Sequence, residues 1–399
     1  LAVAPRRAAT VLLAALLLTA TAAAVVAIHR TLFGRWSAYP LLVFLFLYNK
    51  PFLWGFINYV MAFACGLWLF FAWLQLRHLA WWVRVPLFAV LTTLLAPVHL
   101  YGFAIYAVLI GTSEFSRVVL APRAGWGRGA GTLALNALPF VPGLALVLAS
   151  RTTAAPDIVW GSVVGKMRGL LEVVETYDPY SAVFFFVLFA AIFGAGLVTR
   201  RIVVHPLMVL GLLVLALVYV AMPLRIFGSG YADVRLLPAL AIIGAASTDW
   251  RVPERLWRRG WIVFFAVVLA VRMAVVMGHF VVADRMFAEV RQSLAVLGAG
   301  DRLAVAVLHG LHEFPTFPPT LHLAEIAVVE HEAFVNSMFH DPGHQPMTII
   351  YDIDPAFRGC CTHEYLVPED GPVPDPFATI PLRSFDYLIV FGTEYLAAP

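Results

Sequence analysis

Apolar runs separated by short basic loops fill the first 278 residues of this 399-residue chain. A bilayer core requires about 20 helical residues, so the long runs are able to span a membrane, whereas the short ones must be tilted, re-entrant or shielded by neighbours. With 61% hydrophobic and 13% charged residues, the composition lies outside the range of soluble globular proteins. The runs lie at about 9–28, 37–48, 53–76, 85–97, 98–112, 130–149, 182–199, 203–223, 236–248 and 260–278.

The end of the chain has a different composition. Residues 279–399 hold 16 of the 24 acidic residues and 8 of the 12 histidines. We therefore predict an α-helical polytopic membrane domain of about ten transmembrane or re-entrant helices over 1–278, followed by a small soluble α/β domain over 279–399.

Apolar patterns within the tail predict its elements. Met286, Phe287, Val290 and Leu294 form one face of an amphipathic helix over 280–297. Short apolar runs bounded by polar residues or glycine predict buried strands. These runs are 303–308, 347–351 and 387–391, with a helix over 321–339 and a turn over 340–344 between the first and the second.

Basic residues in the loops predict the membrane topology, because Lys and Arg are retained on the cytoplasmic side. One alternate set of five short loops holds 13 basic residues, and the other set holds eight. This distribution favours two helices joined at Pro97 over one helix kinked there. It also places both termini and the soluble tail outside the cytoplasm, which predicts a multi-pass protein of the bacterial inner membrane.

An outside N-terminus would carry Arg6 and Arg7 across the membrane, against the usual charge bias. The chain also begins with Leu1 rather than methionine. Two explanations stay open: a helix and an outer loop precede residue 1, or residues 1–28 are a signal sequence whose basic segment contains the two arginines.

The outer segment near 160–176 predicts an amphipathic helix that lies on the membrane surface. Apolar residues recur there at helical spacing, and charged residues occupy the other side. The apolar set is Val163, Met167, Leu170, Leu171 and Val174, and the charged set is Lys166, Arg168, Glu172 and Glu175.

A second outer loop runs from Arg225 to Arg235 and contains Gly228-Ser229-Gly230, followed by Tyr231 and Asp233. A glycine-rich backbone between two arginines is able to approach and pair with a phosphate. The alternative is that both arginines extend to the membrane interface without binding a ligand.

Two further polar residues lie at membrane depth. His99, beside Pro97 and Tyr101, either faces a substrate cavity or hydrogen-bonds to a neighbouring carbonyl. Arg272 lies close enough to the outer end of the last run to reach the interface.

Several classes of site have no support in the sequence. Histidines and cysteines are frequent in the tail, but none has the spacing of a zinc site, so we predict no metal site. The adjacent Cys360 and Cys361 form either a strained bridge or two thiols. Nucleotide-binding, hydrolase and nucleic-acid-binding motifs are absent. Only Lys50 and Lys166 of the 27 basic residues are lysines, a bias that codon usage explains better than phosphate recognition.

In layout, most of the chain resembles the GT-C superfamily of polytopic glycosyltransferases and their bacterial relatives. Ten or more spans, short hairpins, an amphipathic helix in an outer loop and an outer α/β tail are typical of that superfamily. The segments that prompt the comparison are 48–58 (YNKPFLWGFIN), 97–101 (PVHLY), 231–238 (YADVRLLP) and 333–339 (AFVNSMF).

The resemblance implies glycosyl transfer from a polyprenyl-phosphate-linked sugar at the outer face, to an unknown glycan, lipid or protein acceptor. Such enzymes carry an acidic residue in the first outer loop, which in this layout would follow a helix upstream of residue 1. If that loop is absent, the resemblance implies a chain without its main catalytic carboxylate. The outer acids that remain are Asp157, Glu172, Glu175, Asp178 and Asp233, of which Asp178 and Asp233 lie nearest to span ends.

An inverting transfer needs one carboxylate as general base and cationic groups at the leaving phosphate. We expect Asp178 or Asp233 to be the base, with Arg225 and Arg235 at the phosphate and His99 and Tyr231 in the binding site. The alternative for each acid is a helix cap or an ion pair. No cofactor is predicted, although a divalent cation stays open.

Two other functions are compatible with the sequence. A non-enzymatic membrane protein, whose tail binds a partner, would keep its function after the outer acids are replaced. A transporter would require a polar path to the cytoplasmic ends of the helices, where the sequence offers only Glu114 and His205.

Overall fold

The computed structural model describes residues 3–120, 126–150, 158–226, 230–251, 255–310, 320, 322–338, 364–367 and 375–393. The chain divides into two compact units. One comprises residues 8–273, and the other comprises residues 1–7 together with residues 274–399.

The first unit is helical, and each of the apolar runs forms helix. Six helices in the described residues are long and apolar enough to cross a membrane, and three shorter apolar helices accompany them. The helices are α1 (Val3–Phe33), α2 (Phe44–Leu47), α3 (Lys50–Leu53), α4 (Ile57–Gln75), α5 (Trp81–Leu95), α6 (Leu100–Leu120), α7 (Trp126–Ala137), α8 (Val141–Ala149), α9 (Val163–Gly169), α10 (Pro179–Val198), α11 (Pro206–Ala221), α12 (Leu236–Ser247) and α13 (Arg255–Leu294).

The short apolar runs at 85–112 and 37–48 form different structures. Residues 85–112 belong to two helices, since α5 ends at Leu95 and α6 begins at Leu100, which confirms the break at Pro97. The 37–48 run forms only a 3₁₀ helix, Tyr39–Val43, followed by α2. That segment is much shorter than the roughly 20 helical residues that a bilayer core requires.

Close packing joins α4 to α6. A Cβ atom on Gly102 of α6 would lie 2.5 Å from the Cβ of Ala62 and 2.7 Å from its carbonyl carbon. Only glycine therefore permits the observed approach of the two backbones. Two short strands follow α10 and α12. They are β1 (Ile202–Val204) and β2 (Thr248–Trp250), which pair antiparallel.

The second unit contains a parallel sheet built around β3 (Arg302–Gly310). The alternating side chains of β3 are buried on both faces: Leu303, Val305 and Val307 pack with Val290 and Leu294 of α13, and the intervening residues pack in a second cluster. Strands β4 (Phe334–Val335), β5 (Glu364–Val367) and β6 (Tyr387–Phe391) all pair with β3 in parallel. The α/β pattern and the predicted strands at 303–308 and 387–391 are confirmed.

The predicted helix over 321–339 is wrong in its second half. A 3₁₀ turn, Leu323–Glu325, leads into α14 (Ile326–His331), and Glu332 then adopts a left-handed φ of 54°. This reversal directs Phe334 and Val335 into β4. A last short helix, α15 (Pro376–Thr379), precedes β6. The predicted strand 347–351 and turn 340–344 lie outside the described residues, as do Cys360 and Cys361.

The amphipathic segment that opens the tail is confirmed as helix up to Leu294. It is continuous with the last apolar run, so the backbone has no break at residue 278. Val290 and Leu294 are buried, and Met286 and Phe287 pack against the same cluster, as the pattern predicts.

Candidate functional site

Three helices of the first unit connect two polar ends. On α4, Tyr59 lies near one end and Trp73 near the other; on α6, the corresponding residues are Tyr101 and Glu114. Helix α12 begins directly after Arg235. At 1.5 Å per residue, the polar groups at the two ends are about 20 Å apart. The buried residues between them on α4 and α12 are apolar. They include Phe63, Leu67, Phe70, Ile242 and Ile243.

We name the two ends after their cations. The "lysine end" is formed by residues 48–59, 97–101, 158–178, 222–226 and 230–235, which contact one another through the bonds described below. The "arginine end" is formed by residues 29–35, 73–84, 114–117, 201–205 and 248–250. Each end buries carboxylates, and the two ends differ in how these are paired.

Lys50 and Glu172 form a buried ion pair at the lysine end. Lys50 follows Asn49, whose side chain caps α3 by accepting from the Phe52 amide at 3.2 Å. The Lys50 Nζ donates to Glu172 Oε1 at 2.8 Å, and the two side chains are 4% and 12% exposed. The same Nζ lies 4.3 Å from the centroid of the Trp54 ring. The pair is therefore held in an apolar, largely water-excluded setting.

One carboxylate oxygen of Glu172 accepts no hydrogen bond from the site. Its Oε2 is buried and has no hydrogen-bond partner among the described residues. Burial raises the pKa of Glu172, and the neighbouring Lys50 opposes that rise. An acceptor oxygen on a carboxyl group with a raised pKa is the arrangement expected of a general base.

Lys166 and Asp233 form the second pair. The Lys166 Nζ donates to Asp233 Oδ2 at 2.6 Å, to the Met222 carbonyl at 2.5 Å and to the Tyr219 carbonyl at 3.1 Å. An ammonium group has three donors, so these three acceptors satisfy it.

The Tyr219 hydroxyl fixes the helix that carries this lysine. It donates to the Lys166 carbonyl at 2.6 Å. A Cβ atom on Gly169 would lie 2.6 Å from that hydroxyl oxygen and 3.7 Å from Glu172 Oε2. Glycine at 169 therefore brings the two ion pairs into one cluster.

Arg235 is buried beside the pairs rather than presented to solvent. Its Nη1 donates to the carbonyls of Gly230 at 3.2 Å and Tyr231 at 3.3 Å. Its guanidinium lies 4.5 Å from the Phe56 ring centroid and 5.3 Å from that of Tyr101. Burial lowers the pKa of Arg235, opposed by its charged and polar neighbours. The residue organises the loop before α12 and stacks on aromatic rings.

His99 lies between two tyrosines at the same end. Its ring centroid is 5.7 Å from those of Tyr59 and Tyr101, and its Nδ1 accepts from the Tyr101 amide at 3.1 Å. Burial, assisted by the charge of Arg235, lowers the pKa of His99 to about 4. The imidazole is therefore neutral near pH 7 and caps the start of α6.

Arg272 does not extend to the interface, so that expectation is wrong. Its side chain is fully buried, and its Nη2 donates to the carbonyls of Tyr48 at 2.6 Å and Glu175 at 3.0 Å. The carboxylate of Glu175 accepts from the Thr176 and Tyr177 amides, both at 3.0 Å. Arg272 thus joins two loops of the lysine end through Nη2, whereas its buried Nε and Nη1 have no hydrogen-bond partner among the described residues.

The amphipathic segment of the outer loop is helical, but its polar side faces inward. Lys166, Glu172 and Glu175 point into the protein, whereas Val163 and Met167 are 79% and 63% exposed. The pattern predicted that the two sides differ, but it did not predict which side meets the protein. Buried partners on other segments attract these charges, and the exposed apolar side fits a lipid surface.

The predicted site residues separate into two groups. Asp233, Arg235, His99 and Tyr231 contact other side chains of the lysine end, and the Tyr231 ring lies 4.8 Å from that of Trp54.

The other two occupy structural positions. The Asp178 carboxylate caps α10 by accepting from the Ser181 amide at 2.7 Å. Arg225 has an exposed side chain, and its backbone pairs with Val159. Gly228 and Ser229 lie outside the described residues.

Sequence reasoning missed the role of the two lysines. They are the only lysines in the chain, and both form buried ion pairs with carboxylates at the same end. The rarity of lysine in the sequence could have indicated this role. A bias toward arginine does not explain why the two lysines lie at the same end of the helices. Glu172 was considered only as one of five outer acids.

The arginine end surrounds Glu114 with several donors. Glu114, 1% exposed, lies 3.0 Å from Arg77 Nε and 3.6 Å from Arg117 Nε. It also accepts from Trp73 Nε1 and Asn136 Nδ2, each at 3.1 Å. Arg84 in turn donates to Asn136 at 2.5 Å.

Asp249, which follows α12, has fewer partners than Glu114, and its buried Oδ1 has no hydrogen-bond partner among the described residues. Its carboxylate pairs with Arg35 and lies 3.8 Å from His29 Nε2.

Within the described ranges, no three His, Cys, Asp or Glu side chains gather in a way that would hold a metal ion. Of the histidines and cysteines considered as metal ligands, His309, His322 and His331 are in the described part of the tail, and His312, His340, His344, Cys360, Cys361 and His363 are not.

No protein-family model, curated protein or solved structure matches this chain.

Proposed function

We propose that this chain is a polytopic membrane glycosyltransferase of the GT-C type, acting on a polyprenyl-phosphate-linked sugar at the lysine end. The observation that carries the proposal is Glu172, a buried carboxylate with one unpartnered oxygen, beside two buried lysines. Buried ion pairs are seldom needed for stability, and ionisable residues at membrane depth mark functional sites by default.

The proposed step is an inverting displacement. The acceptor hydroxyl oxygen forms a bond to the anomeric carbon, and the bond from that carbon to the phosphate oxygen breaks. The bonding electron pair leaves with the polyprenyl phosphate, and the acceptor proton passes to Glu172 Oε2. Lys50 and Lys166 supply positive charge toward the departing phosphate. The proposed base is therefore Glu172 rather than Asp178, whose carboxylate caps a helix. Asp233 positions Lys166.

The same proposal includes ten membrane segments in the bacterial inner membrane, with the lysine end and the soluble unit outside the cytoplasm. The charge distribution supports it, because arginines gather at the opposite end of the helices. The transporter alternative has less support. The buried interior between the two ends, in the part of the chain that is described, is lined by apolar residues such as Phe63, Phe70 and Ile242.

The test is sugar release from radiolabelled polyprenyl-phosphate hexoses by the purified protein in lipid nanodiscs. Glu172→Gln keeps the shape of the side chain and removes the base, so we expect turnover to fall by about 10²–10⁴-fold. Asp178→Asn is the matched control, because asparagine also caps helices and the turnover should be retained.

A folding defect is separated from a lost base by the double variant Lys50→Met/Glu172→Gln, which removes the whole ion pair. It should melt closer to the wild type than Glu172→Gln does and still lack turnover. Wild-type turnover in Glu172→Gln would overturn the assignment of the base. Absence of turnover by the wild type with every hexose donor would leave the binding protein as the better proposal.

A further inference from the structure

A cleft between α1, the Tyr39–Val43 turn with α2, and α4 is separate from the lysine end. Its volume is about 690 Å³, within the range of small-molecule sites. The walls are mostly apolar or small side chains. They include Ala22, Ala23, Val26, Ala27, Leu41, Phe44 and Phe71.

Polar groups are concentrated at one end of this cleft. Arg30, Thr31, Trp36 and Gln75 line that end, and the Gln75 amide donates to the Thr31 hydroxyl at 3.4 Å. Thr19, at the opposite end, uses its hydroxyl to donate to the Ala15 carbonyl at 2.7 Å, so it presents no unsatisfied donor. The cleft is therefore amphipathic along its length.

Arg30 is the cation of the polar end. Its guanidinium lies 4.2 Å from the centroid of the exposed Trp36 ring. No described carboxylate forms an ion pair with it, unlike Arg35, Arg77 and Arg117 at the same end. A guanidinium supported by an indole at the edge of an apolar cleft fits a phosphate group at the membrane interface.

The length of the cleft matches one leaflet. From Arg30 to Thr19 along α1 the rise is about 17 Å, close to half of the roughly 30 Å hydrocarbon core. An acyl chain lying along α1 would therefore begin at the interface and end near the bilayer midplane.

We propose that this cleft is a binding site for one anionic phospholipid of the leaflet at the arginine end. Arg30 binds the phosphate, Trp36 and Gln75 border the headgroup, and one acyl chain lies against Ala23 and Ala27 of α1. This inference is independent of the proposed glycosyl transfer, because it concerns other residues and requires no turnover.

The test is native mass spectrometry of the full chain extracted from nanodiscs that contain equal amounts of phosphatidylglycerol and phosphatidylethanolamine. The wild type should retain one phosphatidylglycerol in preference to phosphatidylethanolamine. Arg30→Gln should lower that retention about tenfold, the effect expected for one charge-assisted hydrogen bond. Ala23→Phe, which fills the apolar part of the cleft, should lower it as well.

Arg201→Gln is the matched control, since Arg201 is exposed and does not line the cleft. It should retain the lipid as the wild type does. Equal retention of both lipids by the wild type, or unchanged retention in Arg30→Gln, would overturn the proposal. Displacement of the phospholipid by an equimolar amount of polyprenyl phosphate would show that the occupant is a different lipid.

Discussion

The lysine end and the arginine end of the helical unit bury the same kind of group and pair it differently. At the lysine end, Glu172 and Asp233 each have one lysine, and no side chain of the two pairs is more than 16% exposed. At the arginine end, Glu114 and Asp249 are buried, but Arg77 and Arg35 keep 36% and 60% of their side chains exposed. Exposed arginines at the ends of membrane helices serve topology, whereas desolvated pairs are costly to bury. This difference is the reason for proposing the lysine end as the site.

Breaking one pair at the lysine end should have the largest effect on stability. Glu172→Gln leaves the Lys50 ammonium buried without its carboxylate, which should cost about 3–5 kcal/mol of unfolding free energy. The measurement is thermal and denaturant unfolding in detergent, monitored by tryptophan fluorescence.

The Lys50→Met/Glu172→Gln variant tests the cause. When both charges are removed, much of the lost stability should return, because no unpaired charge remains buried. If the double variant were as unstable as the sum of the two single variants, the pair would not be coupled, and the distinction between the two ends would fail.

Much of the helical framework was predictable because apolar runs, loop arginines and Pro97 act locally. The break before Leu100 and the strands at 303–308 and 387–391 follow from such patterns. The end of α14 was not predictable, since Glu332 adopts a left-handed conformation that glycine normally signals.

The inward side of the outer-loop segment also escaped prediction, for a physical reason. An amphipathic pattern states that two faces differ, but not which face meets the protein. In water the charged face turns outward, whereas beside a membrane the apolar face is able to do so. The partners that decide the matter, Lys50 and Asp233, lie 122 and 67 residues away from Glu172 and Lys166.

Acidification should lower the free energy of unfolding, because His99 at the lysine end becomes protonated. Its pKa of about 4 in the fold lies below the ordinary value of 6.5, so the fold favours the neutral ring. The resulting stability is present above pH 6.5 and is lost as the pH falls through about 4. It amounts to about 3 kcal/mol at most, at 1.36 kcal/mol per pKa unit. Unfolding of the wild type and of His99→Asn between pH 7 and pH 4 measures it.

His205 provides the corresponding measurement at the arginine end. Its side chain caps α11, and burial, assisted by Arg117, lowers its pKa as well. His205→Asn should therefore change the pH profile in the same direction and by less than His99→Asn. If His205→Asn changed the pH profile more than His99→Asn does, the more strongly desolvated histidine would lie at the arginine end. The expected difference between the two ends would then be wrong.

The smallest effect should come from removing one arginine at the arginine end. Arg77→Gln leaves Glu114 with Arg117, Trp73 and Asn136 within reach. Since Arg77 is also partly exposed, its loss should cost about 1 kcal/mol or less. The same unfolding measurement applies, with Lys50→Met as the comparison at the other end.

Lys50→Met leaves Glu172 without its lysine, and Glu172 already has one unpartnered oxygen, so its cost should be several times larger. The contrast therefore depends on redundancy: several donors share Glu114 at one end, and a single lysine serves Glu172 at the other. Equal costs for Arg77→Gln and Lys50→Met would mean that the number of partners does not distinguish the ends. The buried pairs of the lysine end would then be as dispensable as surface ion pairs, and the main physical reason for placing chemistry there would be lost.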